Sequence, residues 1–271
     1  MTIQTRSLTK TYLLKTALDS VSVTFADGKI HALVGENGAG KSTLAGLLSG
    51  DLHPTAGEIL LDGIPVAFTS AKDALKAGIV LVHQRPLLAA SLTAKENIIL
   101  QRQATATRPP FFLRAPSAQL LALRDHWAPT LNLNTLIKDM GGNLRFYVSL
   151  LGALLQHPKV LILDEPSAFL DDAERRSLYD HLRTLSDAGT TIIVITHSRA
   201  QATTYAHTVT LLRHGKCAGQ FTSADEYKEF LSEGGSLPPA SHVGSFASAV
   251  APTPPSPRGA APKTPELLRS L

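Results

Sequence analysis

Nine consecutive residues combine glycines, a lysine and two hydroxyl side chains at a spacing suited to phosphate binding. They are Gly35, Glu36, Asn37, Gly38, Ala39, Gly40, Lys41, Ser42 and Thr43. They fill the pattern G-x-x-x-x-G-K-[ST], whose glycines let backbone N–H groups approach phosphate oxygens. Lys41 would reach the terminal phosphates as a point charge, and the Ser42 hydroxyl would coordinate Mg²⁺. The segment therefore predicts a nucleoside triphosphate site; the alternative is a glycine-rich turn with a chance lysine.

The flanking sequence supplies the strand and the helix that such a loop needs. Residues Lys29–Val34 form a short apolar run that suits a buried strand. Residues Ser42–Gly50 have helical apolar spacing and end at a glycine. We therefore expect a helix that begins near Gly40 and turns the positive end of its dipole towards a phosphate.

Two carboxylates follow a second apolar run. Residues Pro158–Leu163 predict a buried strand, and Asp164, Glu165 and Pro166 end it abruptly. Carboxylates at the carboxyl end of a parallel strand lie where open α/β sheets bind their ligands. Asp164 suits a role in holding Mg²⁺ through its water shell, and Glu165 suits a general base that polarises an attacking water. The alternative is a solvated strand end that binds nothing.

In this order the motifs resemble those of the nucleotide-binding subunit of an ATP-binding cassette (ABC) transporter, from about Ile3 to about Leu231. The resemblance implies an α/β fold, namely a P-loop NTPase cassette with a RecA-like core, an antiparallel β subdomain and a helical subdomain. It also implies ATP and Mg²⁺ as ligands. The phrases at 31–40 and 78–84 are most similar to importers of monosaccharides, nucleosides and riboflavin.

The same resemblance assigns roles to further residues. Tyr12 matches the aromatic ring that stacks on adenine, and His197 matches the histidine that contacts the terminal phosphate. Gln84 matches the glutamine that touches Mg²⁺ and the attacking water. The implied catalytic group is Glu165, His197 and Gln84, and the implied metal group is Ser42, Gln84 and Asp164. Without this resemblance, Tyr12 would be interpreted as a half-buried packed side chain and His197 as a hydrogen-bonded structural histidine.

One motif departs from the family pattern. The Leu-Ser-Gly-Gly-Gln signature falls on Met140–Leu144, where the serine has become Gly141 and the glutamine has become Leu144. In the family this segment caps a helix and presents a serine hydroxyl to ATP bound by the opposite subunit. A helix is still expected over Leu144–Gln156. Loss of one charge-assisted hydrogen bond costs about 1.5 to 3 kcal/mol, which slows a site by tens to hundreds of times.

Because the family's dimer is head to tail, this loss falls on the partner's site. A homodimer would have two impaired sites. A pair with a related chain that carries an intact signature would have one good site and one weak site. We favour the second arrangement as a hypothesis.

The chain divides into a predicted ATP-binding domain at 1–233 and a tail at 234–271. Within the domain, a helical insert is expected at about 86–157, and the family's D-loop falls on Ala168–Asp171. The segment Pro86–Ala90 is a candidate contact with a membrane subunit, with ordinary core packing as the alternative. The tail is rich in proline, serine and alanine, which predicts disorder.

Composition limits the partners. The formal net charge is +4, from 26 basic and 22 acidic residues, and no basic-aromatic motif predicts nucleic-acid binding. The single cysteine, Cys217, excludes an internal disulfide and favours a reducing compartment. No apolar run reaches the roughly 18 residues that span a bilayer, and no signal peptide is apparent. Membrane attachment would therefore come through a partner.

Two classes of function remain open. In the first, the chain energises an importer from the cytoplasmic face of the inner membrane, together with transmembrane permease subunits, a second cassette and, indirectly, a solute-binding protein. In the second, it is a soluble ABC ATPase that acts on ribosomes, DNA or a regulatory partner. A regulatory subunit that binds ATP and turns over little is a variant of the second class, supported by the altered signature.

Overall fold

The computed structural model describes residues 1–103 and 116–234. The strands in these ranges are β1 Ile3–Tyr12, β2 Lys15–Phe25, β3 Ile30–Val34, β4 Ala56–Leu61, β5 Ile64–Val66, β6 Ile79–Val82, β7 Val160–Asp164, β8 Thr191–Thr196, β9 Thr208–Arg213 and β10 Lys216–Phe221. The helices are α1 Lys41–Leu48, α2 Ala71–Ala77, α3 Ala94–Gln103, α4 Ala118–Trp127, α5 Gly142–Leu154, α6 Asp172–Asp187, α7 Arg199–Tyr205 and α8 Ala224–Ser232. A short 3₁₀ helix covers Ile137–Asp139.

A six-stranded sheet forms the centre of the molecule, in the order β10-β9-β3-β8-β7-β6. All neighbouring pairs are parallel except β9 and β10. Strands β3 and β8 are buried along their whole length, which explains their uninterrupted apolar sequences. The strand predicted before the phosphate-binding loop is thus confirmed as β3, and the strand predicted before Asp164 is confirmed as β7.

Strand register brings the functional segments to one edge of this sheet. Val34 at the end of β3 pairs with Thr196 at the end of β8, and Asp164 at the end of β7 pairs with Ile195. The segments that follow these strands therefore emerge side by side. Parallel strands place their carboxyl ends, and hence their loops, at the same edge.

A second sheet is antiparallel and has the strand order β2-β1-β4-β5. The pattern of residues Val21–Phe25 predicts a strand. Strand β2 contains these residues but begins earlier, at Lys15, and forms a hairpin with β1. Helix α1 packs between the two sheets through Leu44 and Leu47, which are buried with Leu33 of β3. Burial of each such side chain contributes about 1.5 to 3 kcal/mol.

In the described part of the expected insert, helices α3 and α4 pack against α5. The helical apolar spacing at Ser91–Leu100 predicts a helix with a serine or threonine cap. Thr93 and Glu96 form a reciprocal capping box at the start of α3. The expected helix at Leu144–Gln156 is real, but its bounds were wrong: α5 covers Gly142–Leu154. It begins earlier because Gly141 is the last extended residue, and the Gly141 carbonyl already accepts the N–H of Arg145 at 3.1 Å.

The α/β cassette architecture is therefore confirmed, with a mostly parallel core sheet, a separate antiparallel sheet and a helical group. The domain boundary at 233/234 and the insert bounds stay predictions. Residues Arg108–Pro110, whose two prolines predict a loop, and all of the predicted tail after Gly234 lie outside the described residues. Among the described helices, none combines the length and the apolar character that crossing a membrane requires.

Candidate functional site

The phosphate-binding loop connects β3 to α1 and folds around its own lysine. Lys41 is only 7% exposed. Its Nζ atom donates to the carbonyl oxygens of Gly35 at 2.8 Å and Glu36 at 3.0 Å. The ammonium group therefore lies inside the loop, where it can reach a phosphate without a large rearrangement.

Gly40 fixes the shape of this loop. Its φ angle is +102°, and a Cβ atom there would lie 2.7 Å from the Ala17 carbonyl oxygen and 2.7 Å from a methyl carbon of Leu18. Both the backbone angle and the packing thus require glycine. Gly40 is also the N-cap of α1, and in the described part of the chain no side chain caps this end. The first N–H groups of α1 remain available for an anion.

Two carboxylates lie at the carboxyl end of β7. Ser42, at the start of α1, and Asp164 line the same cleft. Burial raises the pKa of Asp164, and the Glu165 charge raises it further, whereas the Ser42 hydroxyl and Lys41 oppose this. A hydroxyl and a partly buried carboxylate that line one cleft are hard oxygen donors of the type that Mg²⁺ prefers. The donor set fits this ion.

Glu165 adopts a backbone conformation that is unusual for a residue with a side chain. Its φ angle is +50°, and its N–H donates to the Ile195 carbonyl at 3.0 Å. Left-handed residues other than glycine are strained and persist only where the surrounding structure holds them. The carboxylate Oε1 lies 2.8 Å from His197 Nδ1. Glu165 is 11% exposed and His197 is 70% exposed, so the pair lies at a boundary between protein and solvent.

These residues line one cleft of about 1290 Å³. The predicted residues that line it are Tyr12, Gly35, Glu36, Asn37, Gly38, Gly40, Lys41, Ser42, Thr43, Gln84, Asp164, Glu165 and His197. Ala39 differs, because it is buried at 5% exposure and supports the loop through its carbonyl, which accepts from Gly215 N at 3.1 Å. Tyr12 is 42% exposed. The Lys10 Nζ atom lies over its ring, 5.1 Å from the centroid, so a base would have to stack on the opposite face.

Sequence reasoning missed several other residues that line the cleft. They are Lys15, Thr16, Ala17, Val34, Arg199, Leu211, Arg213, His214, Gly215, Tyr227, Phe230, Leu231 and Gly234. Lys15 pairs directly with Tyr12 across the β1–β2 hairpin. A sequence prediction that began β2 at Lys15 would therefore have placed Lys15 beside the cleft. Arg213 and His214 had no such signal, because they reach the cleft only through the position of β9 beside β3.

The altered segment at 140–144 does not line this cleft among the described residues. Within residues 1–103 and 116–234, no side chain caps α5 at Gly141. Asn143 instead uses its amide to join two helices: its Oδ1 accepts from Leu144 N at 2.8 Å, and its Nδ2 donates to Glu174 at 2.9 Å. Phe169, in the predicted D-loop, covers Gly142 so closely that a Cβ there would lie 2.9 Å from its ring.

The comparisons with known proteins place the chain in a family. The pattern of the family described as "ABC transporter" matches residues 18–168, which is more than half of the chain. The chain belongs to the ABC transporter family. The resemblance drawn from its motifs is therefore confirmed.

The curated relatives include proteins named for sugar import. The ribose import ATP-binding protein of Yersinia pestis is 35% identical over 227 residues, covering 82% of this chain and 44% of the relative. The one from Rubrobacter xylanophilus is 36% identical over 232 residues, covering 84% and 46%. A glucose import ATP-binding protein of Haloferax volcanii is 34% identical, covering 80% and 44%. The chain thus spans less than half the length of these relatives.

Solved structures agree on the fold. A nucleotide-free ATP-binding cassette from an ABC transporter superposes with a TM-score of 0.76 at 21% identity, covering 86% of this chain and 96% of that chain. A dimeric cassette in a post-hydrolysis state, bound to ADP and Pi, gives a TM-score of 0.70 at 24% identity, covering 81% and 98%.

Proposed function

We propose that this chain binds and hydrolyses ATP with Mg²⁺ as the energy-supplying cassette of an importer for a small solute, such as a sugar, a nucleoside or a riboflavin-like molecule. One observation carries the ATPase part. Lys41, the adjacent pair Asp164 and Glu165, and His197 come from three separate segments and converge on one cleft beside the phosphate-binding loop. The names of the curated relatives support the importer part and, among these solutes, favour a sugar.

Each residue has a distinct task in this proposal. The loop N–H groups and Lys41 hold the β- and γ-phosphates, and Tyr12 stacks on the adenine. Ser42, Asp164 and Gln84 would hold Mg²⁺, which supplies positive charge against the phosphate oxygens. Glu165 accepts a proton from the attacking water, and His197 hydrogen-bonds the terminal phosphate while it orients the Glu165 carboxylate.

The importer proposal places the chain at the cytoplasmic face of the inner membrane, held there by permease subunits. The candidate contact is Pro86–Ala90. Leu87 in this segment is 89% exposed, whereas Leu88 packs against the core. The buried Asn97 fixes the segment by bonding Ala89 at both its N–H and its carbonyl, at 2.7 and 3.2 Å. An exposed leucine on a rigidly held turn suits a docking surface. ATP would close a dimer of cassettes and move these subunits, and hydrolysis would reset them.

The second cassette of that dimer is proposed to be a different chain. This chain lacks the signature serine at Gly141, so it would weaken the site of whichever partner it faces. A partner with a serine-containing signature would complete the ATP site built on Lys41 and Glu165. The altered signature also favours one alternative, a regulatory ABC subunit that binds ATP and turns over little.

The purified chain tests the ATPase proposal directly. We expect saturable Mg²⁺-dependent ATP hydrolysis that Lys41→Ala abolishes, with Lys95→Ala as a control for loss of a lysine elsewhere. Retained hydrolysis in Lys41→Ala would mean that the activity comes from a contaminant.

Capture of the closed complex tests the partners. Tagged Glu165→Gln protein, incubated with ATP in mild detergent, should retain membrane subunits and a cassette with an intact signature, identified by mass spectrometry. Omission of ATP is the matched control. Recovery of ribosomal or DNA-associated proteins instead would support the soluble alternative, and recovery of this chain alone would contradict the mixed dimer.

A further inference from the structure

Gln201 lies outside the predicted site, yet its side chain joins three elements around it. The residue is in the first turn of α7, just after His197. Its N–H is held by the Ser198 side chain, which caps this helix at 3.3 Å. Its Oε1 atom accepts hydroxyl groups from Ser167 at 2.8 Å, Tyr179 at 3.3 Å and Thr196 at 3.4 Å.

The three hydroxyl groups are buried, with residue exposures of 8% for Ser167, 3% for Tyr179 and 1% for Thr196. A buried hydroxyl without an acceptor is costly. The Thr196 Oγ1 atom already accepts the N–H of Ser198 at 3.1 Å, so its own proton is directed to Gln201. The Gln201 oxygen is thus the shared acceptor of a small polar cluster inside the protein.

This cluster connects the two segments that carry the hydrolytic groups. Ser167 lies two residues after Glu165, and Thr196 immediately precedes His197. Because Glu165 and His197 also contact each other at 2.8 Å, the contacts close a ring. The ring runs through Glu165, Ser167, Gln201, Thr196 and His197.

We infer that Gln201 is a positioning residue that fixes the spacing of Glu165 and His197 for ATP hydrolysis. The inference rests on the proposed function. Glu165 has a strained backbone, and its segment needs fixed neighbours to hold that conformation. A general base displaced by about 1 Å can lose about a hundredfold in rate, because the reacting atoms no longer meet in line.

Kinetics of Gln201 variants test the inference. Gln201→Leu removes the acceptor, and we expect kcat to fall about 10- to 100-fold while the KM for ATP changes less than about twofold. Gln201→Glu keeps an acceptor oxygen and should restore most of the rate. Thr204→Ala, on the same helix at an exposed position, is the matched control. Unchanged kcat in Gln201→Leu, or a KM and a melting temperature that change together with kcat, would overturn the inference.

A double-mutant cycle and a spectroscopic readout distinguish positioning from general destabilisation. In a His197→Ala background the contact between Glu165 and His197 is already lost, so Gln201→Leu should lower kcat by less than about twofold further. In the nucleotide-free protein, ¹⁵N NMR should show His197 Nδ1 hydrogen-bonded in the wild type and released in Gln201→Leu. An unchanged His197 signal would overturn the inference whether or not the wild type hydrolyses ATP. Failure of the wild type to hydrolyse ATP would contradict only the proposed function.

Discussion

His197 Nδ1 lies 2.8 Å from Glu165 Oε1, although 31 residues separate the two in the chain. Adjacent parallel strands create this contact, since β7 ends at Asp164 and β8 ends at Thr196, and the two strands pair in register. The result is a carboxylate oriented by an imidazole at the mouth of a phosphate-binding cleft. This is the arrangement that a general base requires, because a base must be held as well as deprotonated.

Replacement of Glu165 by glutamine should stop hydrolysis and preserve binding. The amide cannot accept a proton from water, so we expect kcat to fall by about 100-fold or more. The Kd for ATP should change little, because the carboxylate does not hold the phosphates. Single-turnover hydrolysis and equilibrium binding of a fluorescent ATP analogue measure the two quantities. A variant that lost binding and hydrolysis together would contradict the assignment of Glu165 as the base.

The glycines of the phosphate-binding loop should differ in their tolerance of a methyl group. Gly40→Ala meets a left-handed φ angle and contacts at 2.7 Å, whereas Gly38→Ala meets a left-handed angle of +81° with no atom within 4 Å. The angle alone costs about 1 to 2 kcal/mol. We therefore expect Gly40→Ala to lower the free energy of unfolding by clearly more than Gly38→Ala. Urea unfolding without nucleotide measures this, and equal losses would refute the packing argument.

Much of the site could be predicted because it depends on local sequence. The phosphate-binding loop and the pair Asp164 and Glu165 each directly follow a buried strand. Such strands have uniform apolar sequences, and parallel pairing then brings their ends together. Predicting this part of the site required only the identity and the order of these segments. No knowledge of the distances between them was needed.

The remaining features of the site depend on contacts between segments that are distant in the sequence. Arg213 and His214 reach the cleft because β9 pairs with β3, and Gln201 gains its partners from the segment after β7, from β8 and from α6. Strand order of this kind leaves no periodic signal in the sequence. The start of α5 was misplaced for a related reason. Propensity favours Leu144 over glycine as a helical residue, yet Gly142 is helical under the ring of Phe169.

His31 should make stability fall in mild acid. The side chain is 1% exposed in β3, and its Nε2 lies 2.8 Å from the Ala26 carbonyl. Burial lowers the pKa of His31 from 6.5 to about 4, and the charge of Lys29 contributes in the same direction. Between these values the unfolded chain binds more protons than the folded chain, so stability is lost as pH falls from about 6.5 towards about 4.

The size of the His31 effect follows from this linkage. It amounts to about 2 kcal/mol between about pH 7.5 and about pH 5. His31→Gln keeps a donor and does not titrate, so its free energy of unfolding should depend less on pH by that amount. Urea unfolding at the two pH values measures the difference. Parallel pH profiles for the wild type and His31→Gln would contradict the prediction.

A serine restored at Gly141 should raise the activity of a homodimer. Gly141 has ordinary extended angles, φ −69° and ψ 166°, so a side chain causes no backbone strain. Among the described residues, a Cβ there meets only the Asn143 Oδ1 atom, at 3.1 Å, and a shift of this side chain by a few tenths of an ångström makes room for it. The new hydroxyl could donate to a phosphate held by the facing subunit. If this recovers about 1.5 to 3 kcal/mol, turnover rises about 10-fold or more.

Steady-state ATPase assays at concentrations that give the homodimer measure this gain. Ala118→Ser places a hydroxyl at the amino end of α4 instead and should leave turnover unchanged, since that helix contributes no residue to the cleft. Faster turnover in Gly141→Ser but not in Ala118→Ser would show that the altered signature limits ATP hydrolysis by the homodimer. Equal turnover in Gly141→Ser and the wild type would mean that the missing hydroxyl does not limit hydrolysis, and the argument for a partner with an intact signature would lose its basis.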